Sequence, residues 1–186
     1  KLALAGAAIS AALSSLVSAV ILPRSNVMDA YRFWQVGSVS GATWAGILSV
    51  LPFIIIGLII GVLSSSSLDA LALGDDVATG QGVNTALVRG VSAFAGVLLC
   101  GATTALAGPI GFVGLMIPHT MRLLCGSNMR SIIPMSAVGG AILLTVSDII
   151  GRMIGRPGEL EAGIITAFFG APVLIWIAMR VKVRSL

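Results

Sequence analysis

Charge is scarce in this chain. Only 10% of its 186 residues are Asp, Glu, Lys or Arg, against about 25% in an ordinary soluble domain. So few charges cannot clothe a water-facing surface, which excludes a soluble globule. There is one histidine, there are two cysteines, and aromatic residues make up 5%. Metal centres need about three or four protein ligands, yet His119 stands alone and Cys100 and Cys125 lack Cys-x-x-Cys spacing. No metal site, cofactor or catalytic residue is therefore expected. His119 reads as a packing or hydrogen-bonding group, and the cysteines as small buried side chains rather than a disulfide framework. A GxxxxGK[ST] nucleotide loop is missing, so any use of ATP requires a site on another subunit. The net charge of +4 comes from basic residues scattered between apolar runs, a pattern that argues against nucleic acid as a partner.

What remains is apolar. Hydrophobic residues make up 57% of the chain and the mean hydropathy is +1.07. A bilayer core of about 30 Å needs roughly 20 helical residues. Five stretches reach or approach that length: Leu2–Leu22, Ile47–Leu63 or a start a few residues earlier, Thr85–Ala107, Pro134–Ile154 and Leu160–Met179. A shorter sixth, Phe112–Cys125, holds Pro118 and His119. If all six cross, seven basic residues (Lys1, Arg89, Arg122, Arg130, Arg180, Lys182, Arg184) fall on one side and four (Arg24, Arg32, Arg152, Arg156) on the other. The richer side is expected to be cytoplasmic, which places both ends of the chain there. The chain begins Lys1-Leu2-Ala3, which suggests a fragment or a processed form.

The loops carry the remaining signals. Pro23–Gly46 is expected outside, with a short helix over Asp29–Val36 whose Tyr31 and Trp34 share a face. It reads as an interfacial anchor or a partner contact. The cytoplasmic stretch 64–84 reads as two short helices joined at Gly74, with Asp75 and Asp76 suited to the amino end of the second. It is either a structured connector or a docking surface. The turn "GPIGFVGLMIPH" combines Gly108, Pro109, Gly111, Gly114 and Pro118. Irregular backbone at membrane depth is tolerated only where it is buried in protein or lines a cavity. The stretch therefore reads as a tight hairpin with a kink at Pro118, or as the broken helix of a transporter. Asp148 and Arg152 are four apart on one helix and can pair, or Arg152 and Arg156 can meet acidic groups of an external partner. Twenty-three glycines, several in Gly-xxx-Gly spacing (Gly57/Gly61, Gly151/Gly155), point to a tightly packed bundle.

The motifs "GPIGFVGLMIPHTMRLLCGSNMRSIIPMSAVGGAILLTVSDIIGR", "ELEAGIITAFFGAPVLIWI" and "LDALALGDDVATGQGV" together resemble the iron-siderophore, haem and cobalamin (FecCD-like) permeases of binding-protein-dependent ABC importers. The resemblance covers essentially the whole chain and implies an all-α, polytopic transmembrane helix bundle of the type II importer class. It implies that residues 1–186 are one partial permease domain, the last six spans of a ten-span protein. By the same resemblance, 64–84 is an ATPase-coupling loop in which Leu71, Leu73, Gly74, Asp75 and Asp76 meet a cytoplasmic ATP-binding subunit. Arg152, with Arg156 beside it, falls where the family docks a periplasmic or lipid-anchored substrate-binding protein. A second permease subunit, identical or different, and membrane lipid complete the implied partners. The implied setting is the bacterial cytoplasmic membrane, and the cargo a ferric siderophore, with haem or cobalamin possible. A passive channel or an ion-coupled carrier using Asp148 is the alternative reading of the residues.

Overall fold

The computed structural model describes residues 2–23, 25–156, 158 and 160–183. Lys1, Arg24, Glu159 and Arg184, which entered the sequence reading, lie outside the described residues. Every regular element among the described residues is a helix. In chain order these are α1 (Leu2–Ile21), α2 (Ser25–Val36), α3 (Trp44–Leu63), α4 (Ser65–Ala72), α5 (Asp75–Gly80), α6 (Thr85–Ala107), α7 (Val113–Cys125), α8 (Met129–Ile154) and α9 (Ala162–Val183). Four of them, α1, α3, α6 and α8, are long and apolar enough to cross a membrane, while α7 and the described apolar part of α9 are shorter.

The chain forms two compact units, residues 1–35 and 36–186. In the first, α1 is apolar apart from Ser10, Ser14, Ser15 and Ser18, and its described side chains are almost all exposed. Helix α2 starts four residues before the expected Asp29. Tyr31 and Trp34 do share a face, stacked with ring centroids 5.8 Å apart.

The second unit is built on two helix pairs, α3 with α6 and α7 with α8, and α9 packs against the latter. Half of its buried apolar residues among those described are alanines, the others being Val88, Met116, Ile117, Ile132 and Ile165. Ala70, Ala78, Ala95, Ala102 and Ala162 are buried, while Leu48, Phe53, Ile59, Val97 and Leu115 are exposed. Without a hydrophobic drive between helices in lipid, small residues let backbones approach and large ones face the acyl chains. The same logic corrects the expectation for the cysteines: Cys100 and Cys125 are unpaired but exposed. Apolar surroundings in a lipid-facing sequence do not imply burial.

Helix starts follow capping chemistry. Thr43, Asn84 and Asn128 are the N-caps of α3, α6 and α8, and the side chain of each accepts a backbone N–H of the first turn. The Asn128 cap starts α8 five residues before the expected Pro134, so Pro134 lies inside the helix. Pro118 likewise lies within a continuous α7.

The glycine spacing works singly rather than in pairs. A Cβ on Gly57 would meet Leu99 Cγ at 2.6 Å, and one on Gly151 would collide with the Leu160 carbonyl, whereas Gly61 has open space. Gly155 is the C-cap of α8. The tightest approach is at Gly163, whose N–H donates to the Gly37 carbonyl at 3.0 Å and whose added Cβ would strike the Val36 carbonyl.

Gly163→Ala is expected to destabilise the protein by about 1–3 kcal/mol, since the obstructing atom is backbone and cannot rotate away. Gly101→Ala, at a helical position with open space, is expected to be neutral or slightly stabilising. Thermal unfolding in detergent micelles checks the contrast.

Candidate coupling and docking sites

Hydrogen bonds sort the loops of the second unit into two ends. At one end, the Met129 N–H at the start of α8 donates to Asp69 Oδ1 of α4 at 2.9 Å. The loop 64–84 and the turn 126–128 therefore lie together. At the other end, the Ser38 N–H donates to the carbonyl of Ala107, the last residue of α6, at 2.8 Å, and Gly163 at the start of α9 donates to Gly37. Arg152, near the end of α8, reaches Ser40 Oγ at 3.3 Å. Helices α3, α6, α7 and α8 thus each run from one end to the other, and α9 begins at the end where α8 finishes. Thirteen residues of α7 reach only about 20 Å, so this helix is short for a full crossing.

The 64–84 end is an ordered two-helix elbow. Ser64 closes α3, its N–H donating to Ile60 O and Val62 O, and opens α4 without a side-chain cap. Gly74 joins α4 to α5 with φ 114, a conformation that side-chain-bearing residues rarely adopt. Asp75 and Asp76 occupy the first turn of α5, where carboxylates favour the helix dipole. The proposed coupling residues do not share one environment. Leu71 is half-buried, while Leu73, Gly74, Asp75 and Asp76 are exposed. Asp75 Oδ1 accepts from Arg89 Nη2 of α6 at 2.6 Å. Asp75 is thereby engaged within the chain, and the outward apolar groups of the elbow are Leu73 and Val77. The sequence reading missed Asp69 and Arg89, whose roles depend on contacts 60 and 14 residues away. It also missed the Asn84 and Asn128 caps, although Asn directly before an apolar helix is a usable signal.

The opposite end holds Arg152. Its Nε donates to Asp148 Oδ2 at 2.9 Å, the internal pair expected from their spacing. Asp148 is half-buried, whereas about half of the Arg152 side chain is exposed. Arg156 is exposed beyond the C-cap Gly155.

Between α6 and α7 the backbone leaves helical form for five residues. Gly108 is buried with φ 73, and Phe112 takes φ 67, a costly conformation for a bulky residue. It is held there by packing: an added Cβ on Gly170 would lie 2.7 Å from Phe112 Cβ. Pro109 and Gly111 are exposed within this break, and Gly114 and Pro118 lie inside α7. His119 is exposed. No cluster of three metal-binding side chains occurs among the described residues. An open groove of about 350 Å³ between α3 and α6 has apolar walls, including Phe53, Phe94 and Leu98. Such walls offer no polar anchor for a chelated metal.

These geometries can be set beside known proteins. Residues 1–180 match the FecCD transport family. The chain is 38% identical over 180 residues to the Fe(3+)-citrate import system permease protein YfmD of Bacillus subtilis, covering 97% of this chain and 54% of that protein. It is 41% identical over 180 residues to the ferric enterobactin transport system permease protein FepD of Escherichia coli, with the same coverage of each. A solved ABC transporter of proposed metal-chelate type, in an inward-facing conformation, superimposes with a TM-score of 0.85 at 29% identity, over 95% of this chain and 58% of that one. The chain spans about half the length of the curated relatives it matches.

Arg152→Ala is expected to lower stability by about 1–3 kcal/mol, because it strands a half-buried carboxylate. Asp75→Ala breaks a pair exposed on both sides and is expected to cost under about 1 kcal/mol. Melting temperatures of the two variants in one detergent check the order.

Proposed function

The chain belongs to the FecCD transport family, and from that premise we propose that it is the membrane-crossing part of a permease subunit in an ATP-driven importer. The observation that carries this reading is the elbow at 64–84. It is a folded structure at one end of the bundle, fastened to α8 through Asp69 and to α6 through Arg89. A loose connector would need neither attachment. A surface pushed by a cytoplasmic ATPase needs both, because a load on an unfastened loop would be lost as loop motion.

On this reading the 64–84 end faces the cytoplasm and meets the ATP-binding subunit through Leu73, Asp76 and Val77, with Leu71, Gly74 and Asp75 shaping the elbow behind them. Six crossings are proposed, α1 and α9 with the four helices α3, α6, α7 and α8. Both ends of the chain are then proposed to lie on the cytoplasmic side of the bacterial cytoplasmic membrane, in keeping with the excess of basic residues on that side. The opposite end, carrying Arg152 and Arg156, receives an acidic surface of an external substrate-binding protein. A second permease subunit supplies the other wall of the pathway. The irregular turn Gly108–Phe112, with Pro109, Gly111, Gly114 and Pro118 around it, lies beside that pathway and repacks as the bundle changes shape.

The relatives' names point to ferric chelates: Fe(3+)-citrate for one and ferric enterobactin for another. A ferric siderophore or citrate complex is therefore the proposed cargo, with haem and cobalamin within the reach of the same architecture. No chemistry is done on the cargo. The Asp148–Arg152 pair weighs against the ion-coupled alternative, since the acid that would relay charge is already held in an ion pair.

Two measurements test the reading. The permease reconstituted in liposomes with its ATPase and binding protein is expected to accumulate ferric citrate only while ATP is hydrolysed. Accumulation without hydrolysis would favour a channel or carrier. Arg152→Glu is expected to weaken binding-protein docking by about tenfold in titrations at moderate salt, and unchanged affinity would remove Arg152 from the interface.

A further inference from the structure

The first four N–H groups of a helix have no partner within it. In α8 those of Met129, Arg130 and Ser131 are satisfied, the last two by the helix's own cap residue, whose carbonyl also takes the first ordinary helical bond, from Ile132. Arg130 N–H donates to Asn128 Oδ1 at 2.9 Å, and Ser131 and Ile132 N–H donate to the Asn128 carbonyl at 3.1 and 3.0 Å. The first, Met129 N–H, is satisfied from outside by the half-buried carboxylate of Asp69. This is a charge-assisted bond at the positive end of a helix dipole, the strong kind. The other cross-element tie of the elbow, Asp75 to Arg89, is a pair of exposed side chains and is correspondingly weak.

Helix α8 has 26 residues, about 39 Å at the usual rise. It carries the Asp69 contact at its first residue and Arg152 in its last turn. One continuous helix therefore joins the foot of the elbow to the opposite end of the bundle.

We propose that Asp69 is the positioning residue that fastens α4 to the foot of α8, so that displacement of the 64–84 elbow moves α8 as a rod. The assignment rests on the permease reading above and adds the specific joint through which force passes. Asp69 does not touch nucleotide or cargo. It converts a push on the elbow into a shift of α8, and a pull on Arg152 into a shift of the elbow. The side-chain oxygen, not the charge alone, makes the joint.

Ferric citrate accumulated per ATP hydrolysed, in liposomes holding the permease with its ATPase and binding protein, reads this directly. Asp69→Ala is expected to lower that ratio about tenfold, the weight of one charge-assisted hydrogen bond. Asp69→Asn keeps an oxygen for the Met129 N–H but loses the charge, and is expected to fall between the wild type and Asp69→Ala. Met129→Pro removes the donor instead. Proline is well placed at the first residue of a helix, and Asn128 already has the extended backbone (φ −73, ψ 114) that precedes proline. This variant is expected to match Asp69→Ala, and the double variant to be no worse than either. If Asp69→Ala does not assemble, Met129→Pro decides alone. A wild-type ratio in Asp69→Ala or Met129→Pro, or an Asp69→Asn as defective as Asp69→Ala, overturns the joint. A wild-type permease that neither binds the ATPase nor accumulates ferric citrate overturns the permease reading, and the joint with it.

Discussion

Backbone N–H and C=O groups must find partners inside the protein when lipid surrounds it. That constraint explains most of what is unusual here. At several helix ends the loose groups are closed by a particular neighbour. Asn84 and Asn128 close the starts of α6 and α8. Ser38 takes up the carbonyl of Ala107 at the end of α6, and Gly37 takes the N–H of Gly163 at the start of α9. Asp69 takes the first N–H of α8. These closures are also the ties that hold the loops to the helices, so satisfying the backbone and assembling the machine are one event.

The ties are unequal, and the inequality gives the bundle its mechanical character. The end containing residues 36–38, Gly108–Phe112 and the start of α9 is crowded to the point where a single methyl group on Gly163 or Gly170 would strike backbone or Phe112 Cβ. Such packing leaves almost no free space. The 64–84 end is lighter: one half-buried carboxylate contact and one exposed ion pair, around buried Ala70 and Ala78. Leu73 and Val77 are exposed at this lighter end.

Arg152 shows how one residue serves two readings at once. Its pairing with Asp148 is structural, and its exposed portion with Ser40 beside it belongs to the surface of the far end. The two do not compete, because a guanidinium carries five donors. Arg152 sits in the last turn of α8. Across the bundle, the same helix ends at the Asp69 contact.

The sequence by itself determined the class of the protein. Scarce charge and long apolar runs require a lipid environment, and the limits of α3 and α6, the two-helix form of 64–84 and the Asp148–Arg152 pair were all legible, because each follows from residues within a few positions of one another. Tertiary structure alone decided which glycine of each spaced pair meets a neighbour, that Cys100 and Cys125 face outward, that Phe112 is held in a costly conformation by Gly170, and that Asp69 reaches Met129 sixty residues away. The physical reason is common to all four. Helix periodicity tells which residues share a face, but in lipid an apolar face can meet either protein or acyl chains. Only the packed bundle says which.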